Sequence, residues 1–248
     1  MRKNLIKTIN ALMSPLGAKI VRRNYCGEPP LFAMDAMLQR LARRGCPIKT
    51  VVDIGASDGK WSLMCMQHFP EASYLAVEPL VERQPSLQCK KLSFPNFDYA
   101  LCVAGAVDGQ DVNLNVTPDF DGSTVDAASS ASARTCVTRT IDSLLKERGL
   151  AGPYLLKFDT HGYEIPILSG ASRTLAETTG IILETYNFQI ASTAVRFPGM
   201  CSHMETLGFR VADIADPMLR TRDEIFWQMD VLFLKAEEDV FQHQRYDY

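Results

Sequence analysis

The chain has 248 residues, 46% of them hydrophobic and 22% charged, which is enough to bury one large core without staples. A formal net charge of -3 gives no basic footprint and argues against nucleic acid as a partner. Seven cysteines, odd in number and never in a C-x-x-C pair, argue against a disulfide framework or a thiolate zinc site and for a reducing, cytoplasmic compartment.

Residues 1–30 read as a basic extension ahead of one domain over 31–248. From Met1 to Gly27 there is no acid, while Arg2, Lys3, Lys7, Lys19, Arg22 and Arg23 surround Leu5, Ile6, Ile9, Leu12 and Met13 at helical spacing. Such a segment either packs on the domain or makes peripheral contact with an anionic membrane surface. No apolar run reaches the roughly 18 residues that a membrane span requires.

After Pro29-Pro30, Leu31 to Arg44 predicts an amphipathic helix. Thr50 to Ile54 reads as a buried strand, Lys60 to Phe69 as the helix after it, and Tyr74 to Val77 as a second strand. A helix over Glu82 to Lys91 and a third strand over Phe97 to Val103 follow. Val112, Leu114 and Val116 alternate as in a half-exposed strand. Asp119 to Ala133, rich in Ser, Ala, Asp and Gly, reads as a mobile loop placed to cover a substrate. Val137 to Thr140 is extended, and Ile141 to Glu147 is a helix closed by Gly149. Tyr154 to Phe158 is the fourth strand, Ile165 to Leu175 mainly helix, and Gly180 to Glu184 the fifth strand. A helix over Met200 to Leu207 precedes strands at Phe209 to Ile214 and Trp227 to Leu234. The order predicts an α/β fold with a mostly parallel sheet and an antiparallel strand near its end.

Two stretches carry the chemistry. In the first, Asp53-Ile54-Gly55-Ala56-Ser57-Asp58-Gly59 joins a strand to a helix, and Glu78 ends the next strand, as in sites for adenosine-bearing ligands. A pyrophosphate would meet Asp53 and Asp58 at the helix N-terminus, and G-x-G-x-x-G is absent. S-adenosylmethionine carries no phosphate, and its ammonium and sulfonium suit acidic surroundings. Glu78 can accept hydrogen bonds from both ribose hydroxyls. The alternative is that Asp53 and Asp58 only cap the helix.

The second stretch is Lys157-Phe158-Asp159-Thr160-His161-Gly162-Tyr163-Glu164. At the end of a central strand, Asp159 and His161 would reach the cofactor's methyl, and either could take a proton from an acceptor hydroxyl. The intrinsic pKa of histidine suits neutral operation better. Lys157 shares a strand face with Asp159 and reads as a partner for a buried carboxylate, and Glu164 as a tie for the turn at Gly162. Asp159, His161 and Glu164 have donor types suited to Mg²⁺, but without a clear further ligand no metal is assigned. Glu184, beside Tyr186 and Asn187, is placed to hydrogen-bond a polyhydroxylated substrate.

Together VVDIGASDGKWS, YLAVEP, YALCVAGAVDGQDVNL, VTRTIDSLL, LLKFDTHGYEIPILSGA, IILETY and MDVLFLKA resemble the FkbM family of S-adenosylmethionine-dependent methyltransferases, over roughly residues 48 to 236. The resemblance implies a class I methyltransferase (Rossmann-like) fold, with a seven-stranded sheet and helices on both faces. It implies methyl transfer to a hydroxyl of a sugar, glycolipid or other hydroxylated metabolite. It assigns cofactor contacts to Asp53, Gly55, Asp58 and Glu78, and places the backbone near Ala100 and Leu101 beside the adenine. Ser57-Asp58 stands where the family often has Asn and an apolar residue. Two rivals remain open: a nicotinamide-dependent oxidoreductase and a non-catalytic cofactor-binding scaffold.

Overall fold

A computed structural model of the protein describes residues 30–125 and 133–246. The basic N-terminal segment read from the sequence lies outside the described residues. Numbered along the chain, the strands are β1 (Thr50–Ile54), β2 (Ser73–Glu78), β3 (Phe97–Leu101), β4 (Val103–Ala104), β5 (Asp111–Asn115), β6 (Thr124–Val125), β7 (Ala133–Arg139), β8 (Tyr154–Phe158), β9 (Thr178–Tyr186), β10 (Phe209–Leu219) and β11 (Phe226–Lys235). The helices are α1 (Met34–Arg43), α2 (Lys60–Met66), α3 (Gln84–Ser93), α4 (Ile141–Arg148), α5 (Glu164–Ser169), α6 (Ser172–Ala176) and α7 (Phe197–Thr206).

The main sheet has seven strands in the order β10-β11-β9-β8-β1-β2-β3. Pairing is parallel from β9 through β3, and β11 runs antiparallel to both of its neighbours. This is the class I methyltransferase arrangement, as expected. β1 and β8 are buried along their whole length, which is why both read as continuous apolar runs rather than alternating ones.

Side-chain alternation sends β1 into two cores. Val51 packs with Met37, Leu38 and Leu41 of α1, Cys65 of α2 and Leu87 of α3. Val52 and Ile54 pack with Leu144 of α4, Ile167 of α5 and Met204 of α7 on the other face. Fully buried aromatics such as Phe158 and Phe233 each contribute about 2–3 kcal/mol relative to exposure.

Three expectations need correction. The third strand does not run to Val103: it stops at Leu101, and after Cys102 the chain changes sheets so that Val103 and Ala104 pair with Thr138 and Arg139. A second, four-stranded sheet in the order β4-β7-β5-β6 results. Two of its strands are two residues long, too short to leave a period in the sequence. The segment expected as a loop over Asp119 to Ala133 is partly sheet, since Thr124 and Val125 pair with Asn115 and Leu114 and β7 begins at Ala133; residues 126–132 lie outside the described residues.

The third correction is the helix expected over Ile165 to Leu175, which is split into α5 and α6 around Gly170. A Cβ there would lie 2.1 Å from the carbonyl oxygen of Gly105, so the close approach of the two segments requires glycine. Pro85 occupies the first turn of α3, where its missing donor costs nothing.

Candidate active site

Beyond the carboxyl ends of β1, β2, β8 and β9 lies a cavity of about 260 Å³, lined among others by Gly55, Ser57, Glu78, Leu80, Cys102, Val103, Phe120, Ser123, Asp159, His161 and Glu184. Its roof comes from the β5–β6 connection. Asp121 there pairs with Arg83 and accepts a hydrogen bond from Ser57 Oγ at 3.3 Å. Among the described residues, five non-glycine residues have positive φ, and three of them, Ser57 (+48°), Phe120 (+68°) and His161 (+49°), line this cavity. Left-handed backbone at such residues is costly and concentrates where a site imposes it.

The turn after β1 is closed on itself. The amides of Gly55 and Ala56 donate to Val77 O, Gly59 to Ala56 O, and Lys60 to Asp58 Oδ1. Glu78 Oε2 accepts from the Ser57 amide at 2.8 Å and Oε1 from the Leu80 amide at 2.9 Å. Burial raises the Glu78 pKa, opposed by those two amides. A phosphate arriving here would find these donors taken and a carboxylate in front of it. Gly55, at φ +80°, is required on geometric grounds, because a Cβ would lie 1.9 Å from Asp159 O.

Of the cofactor residues expected from sequence, Gly55 and Glu78 reach the cavity and four others do not. Asp53 is 2% exposed and turns under the sheet, where Ser62 Oγ donates to its Oδ2 at 2.6 Å. Burial pushes its pKa up to about 6, against the Ser62 hydrogen bond and the Lys157 charge. Asp58 pairs with Lys60 at 2.6 Å on the outside of the turn. Ala100 and Leu101 fall short of the cavity because the chain leaves β3 at Cys102, so the wall is made by Cys102, Val103 and Ala104 instead.

The opposite wall carries the charged cluster. β8 delivers Asp159, whose Oδ1 lies 3.2 Å from His161 Nε2 and whose Oδ2 lies 3.8 Å from Lys157 Nζ. Lys157 is buried and pairs with Asp230 of β11 at 3.0 Å, as its strand face suggested. His161 Nε2 is also 3.4 Å from Glu184 Oε2, and its Nδ1 faces Ser123 O at 3.4 Å. Glu184 accepts hydrogen bonds from Tyr186 Oη and Gln228 Nε2.

Burial disfavours charge on the imidazole, but Asp159 and Glu184 outweigh it and raise the His161 pKa. Burial also raises Asp159, yet Lys157 and His161 hold it well below the usual carboxylate range. Glu184 goes the other way, raised by burial and by the Asp159 charge. Glu164 takes no part: its Oε1 accepts from the Gly162 amide at 2.8 Å and Thr160 Oγ1 at 3.0 Å, tying the turn as expected. The third member of the cluster, beside Asp159 and His161, is thus Glu184 and not Glu164.

Among the described residues no helix is long and apolar enough to cross a membrane. The chain is 24% identical over 216 residues to the AMB antimetabolite synthetase AmbE of Pseudomonas aeruginosa, a match covering 71% of this chain and 10% of that protein. It thus spans about a tenth of that relative's length. Among solved structures, it is similar to a methyltransferase FkbM from Methylobacillus flagellatus KT, at 15% identity and a TM-score of 0.45, over 74% of this chain and 43% of that one. It is also similar to the 1,6-didemethyltoxoflavin-N1-methyltransferase of Burkholderia thailandensis, solved with 1,6-didemethyltoxoflavin and S-adenosylhomocysteine, at 11% identity and a TM-score of 0.44, over 94% and 88%. The model of the methyltransferase FkbM domain matches residues 53–211, the stretch from the first strand's acid through both walls of the cavity, and the chain belongs to that family.

Proposed function

We propose that this chain is an S-adenosylmethionine-dependent O-methyltransferase acting on a hydroxyl of a sugar, glycolipid or other hydroxylated metabolite. The observation that carries the reading is the turn after β1. The amides of Gly55, Ala56, Ser57 and Gly59 are bonded within the protein and Glu78 closes the turn, which suits an uncharged ribose and disfavours the pyrophosphate that a nicotinamide cofactor would bring. Family membership supports the same reading.

Bound there, the cofactor would supply an electrophilic methyl whose C–S bond breaks as the acceptor oxygen attacks, the electron pair staying on sulfur. The chain's share is to align the acceptor and take its proton. Asp159, His161 and Glu184 face the cavity from the side opposite Glu78 and form the acceptor wall. His161, held between two carboxylates, keeps its proton above the ordinary histidine range. At neutral pH the proton therefore passes to the carboxylates of the cluster rather than to a free imidazole, and Glu184, raised toward neutrality, is the better matched of the two.

Calorimetric titration with S-adenosylmethionine, S-adenosylhomocysteine and NADH tests the cofactor before any acceptor is known. Saturable binding of the two adenosyl ligands and none of NADH is expected. Glu78→Ala should weaken that binding about 100-fold, the loss of roughly 3 kcal/mol from two charge-assisted hydrogen bonds. Binding of NADH alone, or unchanged affinity in Glu78→Ala, would overturn the reading.

A further inference from the structure

The acceptor wall has a property that proton transfer alone does not require. Asp159 Oδ1, His161 Nε2 and Glu184 Oε2 converge on one point, at 3.2 Å and 3.4 Å from nitrogen to oxygen, with ligand atoms of all three residues within 4.8 Å of one another. An octahedral ion with bonds of about 2.1 Å has ligand-to-ligand edges of about 3 Å, close to the two nitrogen-to-oxygen separations.

A second observation is independent of the convergence. His161 and Glu184 have their other donor or acceptor atom bonded to a group outside the cluster, and the far oxygen of Asp159 faces a buried ammonium. Asp159 Oδ2 faces Lys157 Nζ at 3.8 Å, and Lys157 is itself held by Asp230. His161 Nδ1 faces the Ser123 carbonyl at 3.4 Å. Glu184 Oε1 accepts from Gln228, and its Oε2 accepts from Tyr186. Metal ligands are oriented in this way, with the imidazole's far nitrogen on a carbonyl and the carboxylates' far oxygens on donors.

We infer that Asp159, His161 and Glu184 bind a divalent cation through these three atoms, on the acceptor side of the cavity, with its remaining positions open to the cavity for water or an acceptor oxygen. Two carboxylate oxygens and one imidazole nitrogen suit Mn²⁺ best among the common ions. The ion takes the place of the proton on His161 Nε2, and with it bound Asp159 and Glu184 would hold the ion rather than take the acceptor's proton. The inference rests on the proposed division of the cavity into a cofactor side at Glu78 and an acceptor side.

The test is titration of metal-stripped full-length protein with Mn²⁺ at pH 7.5, following free Mn²⁺ by electron paramagnetic resonance, with S-adenosylhomocysteine binding measured on the same samples. One saturable site is expected, weakened at least 30-fold in Glu184→Gln and in Asp159→Asn, each of which keeps the shape of its side chain. His161→Gln gives a third variant should either unfold. Absence of saturable Mn²⁺ binding in protein that binds S-adenosylhomocysteine would overturn the cation site and leave the cofactor reading standing. Equal Mn²⁺ affinity in wild type and folded variants would overturn it as well. Mn²⁺ binding that responds to these substitutions in protein that ignores S-adenosylhomocysteine would support the site and sink the cofactor.

Discussion

Replacing Asp53 by Asn should stabilise the protein increasingly as the pH rises. Asp53 is fully buried with one hydrogen bond from Ser62, and the groups facing it are Lys157 and Asp159 of β8 and, across the turn, Glu78. Its pKa rises from 3.8 to about 6 on folding. Between those values the folded protein holds a proton that the unfolded chain has released, so stability falls as pH rises through this window and stays lowered above it. At about 1.4 kcal/mol per pH unit, the wild type carries a penalty on the order of 3 kcal/mol at pH 8. The two titration curves place roughly half of that loss above pH 5. Asn accepts the same Ser62 hydrogen bond and does not ionise, and whatever its second polar atom costs is independent of pH. Urea unfolding of both proteins from pH 5 to 8 should therefore show the Asn variant gaining on the order of 1 to 2 kcal/mol relative to wild type across that range. A difference that stays flat with pH would refute the burial argument. A loss of S-adenosylhomocysteine affinity beyond a few-fold would show instead that Asp53 touches the cofactor.

Gly55→Ala should abolish S-adenosylhomocysteine binding, because a Cβ 1.9 Å from Asp159 O drives the turn and the end of β8 apart; calorimetric binding within tenfold of wild type would contradict this. His161→Ala removes the imidazole that holds Asp159 and Glu184 in place; it should leave S-adenosylhomocysteine affinity within threefold and reduce turnover on any accepted hydroxyl by about 100-fold, read as kcat at saturating cofactor. Thr140→Ala removes the side chain that accepts from the Ser143 amide at 3.1 Å and caps α4, and should lower stability by about 1 kcal/mol, or about 2–4 °C in Tm.

The main sheet was legible because its central strands are buried on both faces. Thr50–Ile54 and Tyr154–Phe158 are bounded as their apolar runs suggest, and the turn and cap residues around them carry local signals. The second sheet was not legible, because strands of two residues have no period and Cys102, where the chain changes sheets, looks like any other strand residue. The site divided in the same way. Gly55, Glu78, Asp159 and His161 stand at strand ends or in turns that motif spacing can locate, and all line the cavity. Asp53 shares a motif with Gly55, but strand alternation turns it toward Ser62, a direction that depends on which helix covers which face. Glu184 meets His161 only through the pairing of β8 with β9 and of β9 with β11, a tertiary relation. The histidine's proton affinity likewise depends on that meeting, so an intrinsic pKa was a poor guide to its role.

The change of sheets at Cys102 separates two inheritances within one cavity. Glu78 and Gly55 stand at strand ends of the main sheet, whereas Phe120 and Ser123 hang from the small mixed sheet, whose ladder joins β4, β7, β5 and β6 and does not pair with the strands beneath the cofactor side. The roof therefore meets the turn below it through side chains, Asp121 with Ser57 and Arg83, and not through a shared ladder. On the proposed division of the cavity, a chimera that borrows this roof from a relative and keeps Asp121 should bind S-adenosylhomocysteine within tenfold of the parent in calorimetry while changing which hydroxyl is accepted.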